Sequence, residues 1–201
     1  MSLDALFEQL KHPNPNLRKR ARRAIAEQRD ETTIPRLMAN LEAEDMIYRR
    51  ASVKALGVIG VDSVPFLVDT LLNSENSTVR ASCAKGLAQV AVNHPEVPFP
   101  PEGIKGLQAG MKDSDAVVNL SSVMALGAIG EPALEVLIEA LETTDNLAVA
   151  VAILNALGSI KDERVQAVLT RLSNDESADP YIKESAISAL SRLDMVMKYS
   201  G

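Results

Sequence analysis

The apolar positions of this chain recur on a helical period, and that helical pattern itself recurs along the chain. Leu17, Tyr48, Val79, Val118, Val149 and Ile182 each stand eight residues before Ile25, Leu56, Leu87, Leu126, Leu157 and Leu190. The starting positions are 31, 31, 39, 31 and 33 residues apart. A nearly fixed period of this length marks stacked supersecondary units rather than one globular core. Offsets 0, 4, 7, 8 and 11 share one side of a 3.6-residue period, so Tyr48, Ser52, Ala55, Leu56 and Ile59 predict one buried stripe. Offset 7 is small in every unit (Ala24, Ala55, Gly86, Ala125, Ala156, Ala189), which predicts close approach between helices.

A second apolar helix precedes each of these: Leu3 to Leu10, Ile34 to Leu41, Val64 to Leu71, Ile104 to Met111, Leu134 to Leu141 and Val165 to Leu172. Pro35, Pro65 and Pro132 stand at or near helix starts, where a missing N–H costs nothing. Asn14, Asp45, Asn76, Asp115, Asn146 and Asp179, three residues before each start, are suited to cap the second helix. Each unit therefore reads as helix, turn, helix. Neither helix of a pair can bury its stripe alone, so the pairs must stack. The expectation is an all-α fold, an alpha-alpha superhelix of six helical hairpins.

That superhelix is expected to form a single domain over residues 1–201, with units near 3–30, 31–60, 61–92, 102–130, 131–160 and 161–193. One irregularity interrupts the series. Ala91 to Pro101 holds four prolines in eleven residues and accounts for the long interval. It predicts a rigid projecting loop over 91–101.

Composition narrows the function classes. The chain has 201 residues, a formal net charge of -6 and no tryptophan. Acidity argues against general nucleic-acid binding, which rests on neutralising phosphates. The basic run Leu17 to Arg23 surrounds its helix instead of lining one face. No basic region followed by an apolar run opens the chain, and no segment approaches membrane-spanning length, so a cytoplasmic setting without membrane insertion is expected.

Catalytic and metal chemistry are not apparent. His12 and His94 are flanked by proline in inter-helix loops and have no ligand cluster around them, so no metal site is expected. Cys83 shares a buried column with Ala21, Ser52, Ser122 and Ala186, and reads as a small core residue. Gly57 to Gly60 and Gly127 to Gly130 follow helices rather than strands, and read as helix-terminating glycines, not phosphate loops.

Two columns remain. Arg18, Arg49 and Arg80 recur immediately after the repeat start, and read as a structural ladder binding helix ends across the stack. Offsets 2 and 6 define the side opposite the buried stripe. There Lys19, Arg23, Arg50, Lys54 and Lys85 in the first three units give way to Leu120, Met124 and Val151 in the next two. Outward-facing apolar residues beside a cationic stretch predict a binding surface on the concave helical face.

The segments Tyr48 to Gly60 and Val79 to Leu87 resemble the short HEAT-like repeats of phycobilisome lyases. The six units, the pairs Ile34-Pro35 and Val64-Pro65, and Asn174 to Asp179 before Pro180-Tyr181 extend the likeness. Together they resemble the E/F-type phycobilin lyases and related phycobiliprotein lyase-chaperone subunits. The resemblance implies a chaperone-like binding subunit that assists covalent attachment of a linear tetrapyrrole to phycobiliprotein cysteines. It implies a phycobiliprotein client, a second HEAT-like lyase subunit as partner, and no tightly bound cofactor beyond transient phycobilin. No catalytic motif maps onto this chain, since the attacking thiol belongs to the client. Lys19, Arg23, Arg50 and Lys54 would then meet bilin propionates or acidic client surface beside Leu120, Met124 and Val151. A non-catalytic HEAT-repeat scaffold and a phycobilisome-degradation adaptor are the alternatives. A HEAT-like metal hydroxylase would need paired His-Glu motifs, which this sequence lacks.

Overall fold

The computed structural model describes residues 1–199, and its regular structure there is entirely helical. The outer helices are α1 (Leu3–Gln9), α3 (Thr33–Ala39), α5 (Val64–Asn73), α7 (Pro101–Gly110), α9 (Leu134–Thr143) and α11 (Glu163–Asn174). Alternating with them are the inner helices α2 (Pro15–Glu27), α4 (Met46–Ile59), α6 (Ser77–Asn93), α8 (Ala116–Ile129), α10 (Leu147–Leu157) and α12 (Pro180–Tyr199). Inner helices pack side by side in the order α2, α4, α6, α8, α10, α12, each also against an outer helix. The predicted all-α superhelix of helical hairpins is what the chain forms.

Local chemistry starts the inner helices as the sequence predicts. The side chains of Asn14, Asp45, Asn76, Asp115 and Asn146 accept from backbone N–H groups at the starts of α2, α4, α6, α8 and α10. Asp179 accepts from the Tyr181 N–H at 2.8 Å. Gly60 and Gly130 end α4 and α8 at φ of 90° and 80°, a left-handed conformation that favours glycine. Gly57 and Gly127 do different work. They lie inside α4 and α8, where a Cβ would stand 2.3 Å from Gln89 Cβ and 2.8 Å from Ala156 Cβ, so they let neighbouring inner helices approach.

The apolar stripes meet in one continuous core running the length of the stack. Leu37, Leu67, Leu107, Leu137 and Leu169 enter it from the outer helices, and Ile25, Leu56, Leu87, Leu126 and Leu157 from the inner ones, all fully buried. Burying such a side chain contributes about 1.5–3 kcal/mol, and no outer helix could gain that on its own. Cys83 sits in this core, and burial pushes its thiol pKa up to about 12.

The proline-rich segment is shorter than its sequence suggests. α6 continues through Ala91, Val92 and Asn93, and α7 begins at Pro101, so the loop covers 94–100. Helix ends at His94 because Pro95 disfavours helical geometry in the residue before it. His94 turns back so that its Nε2 lies 3.1 Å from the Val58 carbonyl at the end of α4.

Candidate functional site: a cationic and apolar groove

The first four inner helices enclose a groove of about 860 Å³. Its cross-section follows from helical register. Ala51, Ser82 and Ser121, at offset 3, line its floor and are buried there. Ile47, Thr78 and Val117, at offset -1, form one wall, and Lys54, Lys85 and Met124, at offset 6, form the other. Equal offsets in packed inner helices place these residues in rows that cross the helices. The second row is cationic over α4 and α6 and apolar at α8, where Met124 is 70% exposed. Opposite it, Val117 is 56% exposed.

Charge pairing separates the two layers. Most ion pairs of the described residues lie on the outer helices and the loops: Arg36 with Asp4 at 2.9 Å, Arg171 with Glu142 at 3.0 Å, Arg29 with Asp62 at 2.9 Å; Arg80 of α6, paired with Asp113, is the inner-helix exception. Arg164 pairs with both Asp162 and Glu135. In the groove Arg22, Arg50, Lys54 and Lys85 make no ion pair among the described residues. One carboxylate, Asp115, reaches the groove, and it caps α8 by accepting from the Val117 and Val118 N–H groups. Arg22 is half-buried. Its burial first, and then the like charges of Arg18 and Arg23, hold its guanidinium below the ordinary arginine pKa. A partly desolvated cation without a counter-ion is costly. An incoming anion would relieve that cost.

The sequence-predicted surface is partly reassembled. Arg50, Lys54, Lys85 and Met124 line the groove. Lys19 and Arg23 do not: α2, the first inner helix, packs chiefly against α1 and α4, and these side chains are exposed at the open end of the stack, while Arg18 and Arg22 turn inward. Leu120 and Val151 are also outside the groove and half-buried. Offset 2 stands about 40° beyond offset 6, at the edge of the sector that offsets -1, 3 and 6 define, so Arg50 reaches the groove and Leu120 does not. Residues that the offset argument missed are Arg22, Met46, Ile47 and Val117. For Met46, Ile47 and Val117 the signal was present as apolar residues just after the caps Asp45 and Asp115.

The arginine column is structural, but chiefly within units. Arg18 donates to the carbonyls of His12 and Pro13 at 2.6 and 2.7 Å, and Arg49 to that of Ala43 at 2.6 Å. Each thus ties a helix start to its own preceding loop. Arg80 donates to the Ser74 and Glu75 carbonyls and alone of the three reaches the next unit, meeting Asp113 at 2.7 and 2.8 Å. Asn119 takes over the loop contacts in the fourth unit, donating to Met111 and Asp113 carbonyls. The expectation of a ladder across the stack therefore holds for Arg80, because only there does a carboxylate stand opposite.

Among the described residues, no group of three or more His, Cys, Asp or Glu side chains is placed to hold a metal ion. No helix there is long and apolar enough to cross a membrane.

Comparison with known proteins places these features. The model of the HEAT repeats family matches residues 3–95 and 103–191. Over 196 residues, 98% of this chain and 97% of the relative, the chain is 54% identical to the uncharacterized phycocyanin operon protein Z of Pseudanabaena tenuis (strain PCC 7409). It is 33% identical over 175 residues to the bilin biosynthesis protein CpeZ of Synechococcus sp. (strain WH8020), covering 84% of this chain and 94% of that one. Among solved structures, the complex of CpcE and CpcF of phycocyanin lyase from Nostoc sp. PCC7120 has a similar fold. There the TM-score is 0.51 at 20% identity, over 77% of this chain and 96% of that one.

Proposed function

The chain belongs to the HEAT-repeat family and, within it, to the E/F-type phycobilin lyases and their related subunits, and from that premise we propose that it assists covalent attachment of a linear tetrapyrrole to a phycobiliprotein cysteine. The relative named for bilin biosynthesis supports the bilin-related part of this reading. The observation that carries the mode of action is the groove: unpaired cations beside exposed apolar side chains, on a face otherwise lined by small residues. Such a surface binds an amphiphile that bears carboxylates.

The chain's own side chains act by binding and orienting. Cys83 is buried with its thiol protonated, so it supplies no nucleophile. The attacking thiol belongs to the client, and the gain comes from holding thiol and pigment at reacting distance. Well-oriented reactants reach effective molarities on the order of 10⁵ M or more. Bilin is bound transiently. A second HEAT-like subunit completes the assembly, as CpcE and CpcF pair in their complex. The end of the stack offers a place for it: α12 exposes Tyr181, Ile187 and Met195 on its outer side.

Co-expression tests the proposal. Candidate phycobiliprotein subunits are produced with a bilin source, with and without this chain and a HEAT-like partner, and covalent pigment is read by zinc-enhanced fluorescence of denatured protein. Attachment should rise when the chain is present and fall back with Arg50→Glu/Lys54→Glu. Equal attachment with and without the chain, for every client, would sink the reading.

A further inference from the structure

We propose that the groove seats an amphipathic helix of the client protein, lying across α2, α4, α6 and α8, with acidic side chains repeated about every seven residues along one flank. This rests on the groove being the working surface, and names what occupies it.

Three features of the groove specify that occupant. Its floor, Ala51, Ser82 and Ser121, is small and continuous across three inner helices, which lets a helix backbone lie close. The wall of Ile47, Thr78 and Val117 offers apolar contacts at both ends with a threonine between them. The opposite wall presents Lys54, Lys85 and then Met124 at one register position in successive helices, while Arg22, one position earlier in its own unit, adds a cation at the α2 end of the groove.

Spacing then chooses between a guest helix and a compact pigment. Packed helices stand about 8–10 Å apart, so the cations recur at that interval. A helix rises about 1.5 Å per residue, and the interval corresponds to about five to seven residues, up to nearly two turns. Acidic residues seven apart return to the same flank of a guest helix and so meet Lys54 and Lys85 in turn, with Arg22 near the α2 end of the groove. An apolar residue about two turns further on falls between Met124 and Val117. The two propionates of a linear tetrapyrrole stand on adjacent inner rings and could satisfy one such step. They would leave the other groove cations, Arg22 and Arg50, unmet.

Two labelled peptides of about 22 residues test this against the full chain by fluorescence anisotropy. Both have one apolar stripe, the same composition and matched helicity. One carries glutamates every seventh residue beside the stripe, followed by leucine; the other has those glutamates moved to the far face. The first should bind about tenfold tighter at low salt, as a few charge pairs of about 0.2–1 kcal/mol each would give. That advantage should vanish at about 1 M salt, where screening reaches about 3 Å. Lys54→Glu/Lys85→Glu should abolish the difference, and Val117→Ser/Met124→Ser should weaken the first peptide at every salt concentration. All four substituted side chains are exposed, and circular dichroism checks that the variants fold. Equal binding of both peptides, binding of neither, or stoichiometric displacement of the first by biliverdin would overturn the helix as occupant. None of these results bears on whether the chain raises pigment attachment in co-expression. Conversely, selective peptide binding with no effect on attachment would retain the groove assignment and remove the bilin function.

Discussion

Replacing Gly57 by alanine tests the packing that creates the groove, because two physical effects give it opposite signs. Inside a helix, Gly→Ala ordinarily stabilises by about 0.8–1.0 kcal/mol, since alanine loses less backbone entropy. Here the added Cβ would lie 2.3 Å from Gln89 Cβ and 3.0 Å from the Gln89 carbonyl carbon. Neither is the free end of a flexible side chain, so α4 and α6 must move apart. Overpacking of this kind costs about 1–3 kcal/mol, and contact with backbone belongs at the upper end. We therefore expect Gly57→Ala to be net destabilising by about 1–2 kcal/mol, read as a lowered midpoint in urea denaturation with an unchanged slope. Gly130→Ala is the control. It has open space around its Cβ position but a φ of 80°, so it should cost about 1–2 kcal/mol through backbone strain without moving inner helices. The peptide assay separates the two variants, because only Gly57→Ala changes the distance between Lys54 and Lys85. A Gly57→Ala protein as stable as the parent, or more so, would refute close approach of α4 and α6 at this point.

Other consequences are as direct. Arg80→Met should lower the thermal midpoint at pH 7, since it removes the paired contact with Asp113 at 2.7 and 2.8 Å between the third and fourth units. The Arg80 guanidinium, foremost by its hydrogen bond, holds the Asp113 carboxyl below its ordinary value near 3.8. A depressed carboxylate pKa contributes stability above the unfolded value and loses it as pH falls through the folded one. The difference between parent and Arg80→Met should therefore be complete at neutral pH and shrink below about pH 4, and a pH series of melting curves checks it. Asn76→Ala should cost about 1 kcal/mol in urea denaturation by removing the cap of α6. Cys83 should resist a disulfide reagent such as DTNB in the native protein while reacting fully in urea, because it is buried with its pKa pushed up to about 12. Fast native labelling would show that α6 opens readily.

Much of this architecture is carried by short-range signals. The period, the caps from Asn14 to Asp179 and the glycine ends at Gly60 and Gly130 act within a turn or two of chain, so their chemistry can be read wherever the residues stand. The same holds for the buried status of Cys83, which follows from its column. The end of α6 was less legible, because Ala91, Val92 and Asn93 suit helix or loop equally and only Pro95 imposes a stop.

The groove depended on more than one helix. A sequence divides a helix into buried and unburied sides, but an inner helix of a stack has a neighbour on either side and an outer helix behind it. What remains open is a narrow sector whose direction is set by how the helices pack, not by the apolar stripe alone. Hence Lys54, Lys85 and Met124 face the groove, while Leu120 and Val151, unburied by period, are half-covered outside it. Arg22 and Arg23 differ by one residue and about 100° of helix. The sequence makes both cationic, but only packing of α2 against α4 turns Arg22 into the groove and leaves Arg23 at the end of the stack. The repeat, its caps and its family were thus determined by local order along the chain. Which charges lie together without counter-ions was decided by tertiary packing, because that depends on neighbours about thirty residues away.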